Sequence, residues 1–163
     1  MARFEQMNED MNQVLQTIIS SQQVCKLLAY SSANPLGEPD VADPSRLIDM
    51  DSAECRIYRV PTIPAADSPP GAYITVVPDW FKLAEGSAGV KEWILKLRII
   101  VHRDLWQIGD KLRPFSLLHE IDRLFGEQTI VGIRKLRLRR CAFVNYNETH
   151  SGYLLSYTAV SSA

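Results

Sequence analysis

The chain has 163 residues, 46% of them hydrophobic and 23% charged, with a formal net charge of −1. That length fits one domain, 1–163, with one proper core, and the composition is ordinary for a soluble globular protein. No apolar run approaches the roughly 18 residues that a membrane span needs, and the polar residues that follow Met1 to Glu5 do not read as a secretory leader. Cys25, Cys55 and Cys141 are widely spaced, without a C-x-x-C pair. They exclude a disulfide framework and a structural zinc site, and read as small core hydrophobes in a reducing compartment.

The small net charge hides an asymmetry. Residues 1–54 carry nine acids against three bases, and residues 91–140 carry twelve bases against six acids. Such polarity suits contacts between identical subunits, one copy's acidic segment meeting the next copy's basic face. The alternative is that the two halves neutralise each other within one monomer.

Met7, Met11, Val14, Leu15, Ile18 and Ile19 recur at spacings of three and four, which predicts a helix over 5–19. Ser21 can cap a second helix, 22–30, that buries Val24, Leu27 and Leu28. Together these form an N-terminal helical part, 1–30. Residues 31–54 lack a strong period and carry Pro35, Gly37, Pro39 and Pro44; they read as an extended arm that gains order from a partner. Pro44 can open one helical turn.

A sheet-and-helix part, 55–163, follows. Residues 55–60 alternate as a strand, and 72–77 form a second. Residues 79–89 read as irregular, with Gly86, Ser87, Ala88 and Gly89 as a flexible tip. Trp93, Leu95, Leu97, Ile99 and Val101 define the strongest strand. Its other face (Ile94, Lys96, Arg98, Ile100 and His102) is mixed and half wet. Ile108, Gly109 and Asp110 stop it. Pro114 opens the best helix, which reaches Phe125, with Gly126 as its C-terminal cap. Leu117, Leu118, Ile121, Leu124 and Phe125 should lie on the sheet. Residues 134–146 and 153–160 pair as a hairpin. The fold class is α+β: a mostly antiparallel sheet with the N-terminal helices and one central helix packed on it.

No constellation for chemistry emerges. His102, His119 and His150 are isolated in sequence and read as surface or half-buried residues, and His119-Glu120 lacks the second histidine of a zinc motif. Asp104 and Asp110 read as turn-stabilising. Phosphate-cradling and nucleophile-elbow motifs are missing. The reading is a non-enzyme that needs no metal or other cofactor.

The basic strand is the stronger signal. Lys135, Arg137 and Arg139 alternate with Leu136 and Leu138, which places three cations on one face of a strand and two leucines on the other. Arg140 follows, and no acid lies between Glu127 and Glu148. Solvated or intrachain-paired surface, a subunit interface and a nucleic-acid contact all fit. For nucleic acid, Phe143 and Tyr146 would be the nearby stacking rings, although both are as readily core or hairpin residues. Trp80 and Phe81 read as a loop pair, either an exposed contact or a lid folded on the sheet.

Gln23 to Tyr30 runs into Ser31, Ser32, Ala33, Asn34, Pro35 and Leu36. Ile99 to His102 precedes Leu105 and Trp106, Arg113-Pro114-Phe115 opens the helix, and Asn145-Tyr146 and Ser151-Gly152-Tyr153 close the hairpin. In this order the chain resembles bacteriophage neck proteins of the tail-terminator type. The resemblance implies a closed ring, commonly a hexamer, in the virion neck. The ring caps the tail tube, docks to the head-side connector and lets DNA pass without specific binding. It has no membrane role. The resemblance also implies that Lys135, Arg137, Arg139 and Arg140, the Trp80–Phe81 pair, and Pro35, Asp40, Asp43 and Asp49 of the arm are interface candidates. The Pro-rich middle leaves open a head-side completion ring, and a nucleic-acid-binding accessory protein is the alternative of another class.

Overall fold

The computed structural model describes residues 4–83, 90–127 and 133–161. Helices α1 (Glu5–Ile19) and α2 (Gln22–Ala29) form where the apolar stripes place them, and all six large apolar residues of the first stripe are buried. Ser21 separates them with extended backbone. Its Oγ accepts from the Val24 N–H at 3.3 Å and donates to Glu120 at 3.0 Å, so the cap also ties α2 to the third helix. Helix α1 buries Asp10 as well. Its carboxylate accepts from the Gln6 amide at 3.0 Å, and burial raises its pKa above the ordinary carboxylate range.

The stretch 31–54 folds back on its own chain. It makes two short 3-10 turns, Pro35–Gly37 and Pro44–Leu47, the second opened by Pro44 as expected. Pro35 and Leu47 are buried, and Leu47 belongs to the main core. The Tyr30 hydroxyl donates to the Pro39 carbonyl at 2.8 Å. The Gln22 side chain both donates to and accepts from the Val41 backbone, at 3.1 and 2.9 Å. The expected arm awaiting a partner is thus anchored in cis by two apolar side chains and by polar contacts that a periodicity search does not see.

Five strands form the main sheet in the order β1-β2-β3-β7-β6. They are β1 (Ile57–Tyr58), β2 (Ala72–Leu83), β3 (Val90–His102), β6 (Ile133–Asn145) and β7 (His150–Ser161). β1 joins β2 in parallel, and every other pairing in the sheet is antiparallel. The alternation over 55–60 yields only two paired residues. Conversely, β2 runs past Pro78 to Leu83, with a register shift between Pro78 and Trp80. Proline is tolerated there because the shift lies beyond the end of β1. The expected tip at 86–89 lies outside the described residues.

A small hairpin, β4 (Gln107–Ile108) with β5 (Lys111–Leu112), turns at Gly109, whose φ of 62° suits glycine. Helix α3 (Arg113–Glu127) follows. It begins one residue before Pro114 and continues through Gly126, which is therefore inside the helix and does not cap it. Leu117, Ile121, Leu124 and Phe125 are buried, while Leu118 is half-buried at the margin. Each fully buried large side chain contributes roughly 1.5–3 kcal/mol.

The sheet has two unlike faces. Trp93, Leu95, Leu97, Ile99 and Val101 point into the core with the helices, as their alternation predicts. The opposite face is wet around Ile94, Lys96 and Arg98 but dry at Ile100 and His102. Near the dry end the loop after β1 is pinned to the hairpin: Asn147 donates to the Pro64 carbonyl at 2.8 Å and Thr149 to the Ala66 carbonyl at 2.7 Å.

Candidate functional site

Strand β6 is one edge of the sheet. Leu136 pairs with Ala159, and Arg137 with Thr158. A register shift then falls between Leu138 and Arg140, which pairs with Ser156. This bulge breaks the simple alternation expected from the sequence. Arg137 and Arg140 share the face turned away from the helices, because their partners Thr158 and Ser156 are two residues apart. Arg139, at the bulge, donates from Nε to the Thr158 hydroxyl at 2.8 Å. Three exposed arginines are thereby gathered on one side. Leu138, expected to be buried with Leu136, is 43% exposed on the other. The side chain of Lys135 lies outside the described residues.

None of Arg137, Arg139 and Arg140 has a carboxylate within ion-pair reach among the described residues. Three acids of 38–54 find partners at home: Asp40 pairs with Lys26 at 2.9 Å, and Arg46 lies between Asp43 and Glu54 at 3.5 and 3.4 Å. Asp49 and Asp51 are exposed, linked only by the Asp51 N–H donating to the Asp49 carboxylate at 3.0 Å. No ion pair among the described residues joins an acid of 38–54 to a base of 91–140.

Topology separates them further. The acidic segment runs directly into β1, and the Arg56 N–H donates to the Leu47 carbonyl at 2.9 Å. The acidic end thus sits at the β1 edge and the arginines at the β6 edge. Four strand spacings lie between, about 19 Å.

Beside the arginine edge, on the helix side, lies an aromatic group of which the sequence singled out only Phe143 as a ring beside the basic strand. Phe143 and Phe115 are 56% and 51% exposed. Both pack on Tyr153, with ring centroids 6.0 and 5.5 Å apart, and Trp106 lies 6.3 Å from Phe143. Four separate segments supply these rings, β6, α3, β7 and the turn after β3, so no local pattern could have grouped them. Trp80 and Phe81 are strand residues and not a loop pair. They point to opposite faces: Trp80 pairs with Ile94 and is 49% exposed, whereas Phe81 pairs with Trp93 and meets Phe4 edge-on at 6.1 Å.

Two of the three histidines come together, while His119 is exposed on α3. β3–β7 register sets His102 opposite His150, and their rings meet edge to face at 5.1 Å in a buried site. The His102 Nδ1 accepts from the Asp104 N–H at 3.1 Å, and Tyr73 lies 6.4 Å from His150. Burial, then the neighbouring His102, pushes the His150 pKa below its usual value. A depressed histidine contributes stability that is complete above the unfolded pKa of about 6.5 and is lost as pH falls through the lower folded value. Thermal melts should therefore drop in midpoint below about pH 6.5, and His150→Gln should flatten that dependence. An unchanged slope would show that His150 does not take up a proton on unfolding.

Among the described residues, no group of three or more His, Cys, Asp or Glu side chains is placed to hold a metal. No described helix is long and apolar enough to cross a membrane. The surface geometry is one of contact: a cationic edge, aromatic rings beside it, and an acidic segment at the opposite edge. No curated protein matches the chain. Residues 21–159 match the sequence model of the YomW family, so this chain belongs to that family of phage-derived, Bacillus SPbeta-like proteins.

Proposed function

We propose that the chain is a structural subunit of a phage neck, a tail terminator that closes with copies of itself into a ring, in number a hexamer. The ring caps the tail tube, meets the head-side connector and lets DNA pass without specific binding. It acts in the virion, carries out no reaction and needs no cofactor. The supporting observation is the electrical polarity of the sheet, acidic at the β1 edge and arginine-rich at the β6 edge. Unlike edges favour head-to-tail contacts, and head-to-tail contacts generate rings when the rotation closes. A head-side completion ring would use the same polarity.

Phage produced without this protein should accumulate filled heads and separate tails, visible by electron microscopy, and the purified protein should restore joined particles. Joined, infectious particles formed in its absence would reject the neck assignment. The unpaired arginines support a second reading, binding of nucleic acid. In anisotropy titrations at low salt, flat traces at tens of micromolar protein (about the weak end of nonspecific binding) are the expected result. A steeply salt-dependent rise would favour that second reading.

A further inference from the structure

We infer that the β6 edge of one copy receives the 49–51 turn of the next. This rests on the ring reading and gives it a specific contact. Asp49 and Asp51 are exposed and have no ion pair among the described residues, and Met50 between them is 47% exposed. The turn is an apolar side chain flanked by two exposed carboxylates, of which Asp49 accepts only the Asp51 N–H among the described residues. The β6 edge offers the complement: Arg137 and Arg140, without an ion pair among the described residues, on one side, and Leu138 and Phe143 exposed on the other. Each surface holds what the other lacks.

Geometry also favours a second copy over self-insertion. The turn precedes β1, and β6 lies at the far edge of the same sheet. Its own turn is held by the Leu47–Arg56 hydrogen bond, while the Cys55 N–H donates to the Ser52 carbonyl at 3.2 Å. A turn fixed at one edge cannot reach the other edge of its own sheet. Arginines and a bulge also guard an edge against indiscriminate strand pairing, so a partner must answer the charge to dock there. Exposed carboxylates do so, and fix the register of the contact.

Two charge-reversed proteins test the contact. The edge variant is Arg137→Glu with Arg140→Glu. It leaves Arg139 and its Thr158 hydrogen bond intact. The turn variant is Asp49→Lys with Asp51→Lys. If the turn variant melts early through loss of the Asp49–Asp51 hydrogen bond, Asp51→Lys alone replaces it. Sedimentation velocity is run on each protein and on their equal mixture. Wild type should form species larger than a dimer. Each variant alone should stay monomeric, because its two surfaces carry like charge, and the mixture should recover the large species. Variants that each assemble like wild type would overturn this contact and leave the ring reading standing on another interface. A mixture that stays monomeric beside an assembling wild type would overturn it equally. Wild type that remains monomeric at every concentration, with a silent mixture, would overturn both the contact and the ring.

Discussion

Replacing Arg113 by Met is expected to cost about 3–5 kcal/mol of folding free energy, one of the largest effects of any single side chain here. Arg113 is the first residue of α3, and its guanidinium is buried. Its Nε donates to the Leu105 carbonyl at 2.9 Å. Its Nη1 donates to Leu27 and Tyr30 at 2.5 and 2.9 Å, and its Nη2 to Ser32 at 3.2 Å. Three of those four carbonyls belong to the end of α2 and the residues just after it, where a helix leaves its last carbonyls unpaired and carries partial negative charge. Burial lowers the Arg113 pKa only to about 10, so the group remains charged at neutral pH.

Methionine fills much of the same volume but donates to nothing, and the carbonyls of Leu27, Tyr30 and Ser32 would lose their partner. Lysine keeps the charge on a single ammonium and cannot span a fork that reaches both the 105 turn and the end of α2. Both Arg113→Met and Arg113→Lys should therefore lower the urea midpoint strongly, Met more than Lys. The consequence reaches the proposed contact, since the segment that ends in the 49–51 turn departs from the α2 end that Arg113 holds. A midpoint for Arg113→Met within about 0.5 kcal/mol of wild type, the scale of an ordinary surface change, would show that these bonds only replace equivalent bonds to water.

Arg113 marks the boundary of what the sequence makes legible. Features that depend on a few neighbouring residues can be read directly: the α1 stripe, the Ser21 cap, Pro44 at its turn, the core alternation from Trp93 to Val101, and the closing hairpin. Each is a local period or a local hydrogen bond. What escaped depends on register between distant segments. Arg113 reaches Leu27 across 86 residues. His102 meets His150 only because β3 and β7 pair as they do. The bulge near Arg139 gathers arginines that strict alternation would have placed otherwise, and Leu138 beside it keeps the face of Leu136 yet is 43% exposed. The expected second strand ends at residue 77, yet β2 continues to Leu83 because Pro78 falls at an irregularity. The charge asymmetry was visible from counting alone. That its two halves occupy opposite edges of one sheet follows only from strand order.

Gly152→Ala should be as damaging as the loss of Arg113, and for a purely steric reason. Gly152 lies in β7 between Ile100 of β3 and Val144 of β6. A Cβ built there would stand 1.8 Å from the Ile99 carbonyl oxygen and 2.8 Å from its carbon. Both are backbone atoms of a central strand and cannot rotate aside. The strands must part by more than an ångström, against a fully buried Ile100 and two residues from the buried histidine pair. The expected cost is at least about 3 kcal/mol, at the upper end for overpacking. Gly126→Ala provides the contrast within the same protein. Gly126 sits inside α3 with nothing within 4 Å of the added methyl. That change should stabilise by about 0.4–1 kcal/mol, by restricting the unfolded chain and favouring helix. Urea unfolding of the two variants side by side separates the effects. A Gly152→Ala protein that unfolds at the wild-type midpoint would mean that β3 and β7 are not packed in this register, and the histidine pair and the edge position of β6 would lose their basis with it.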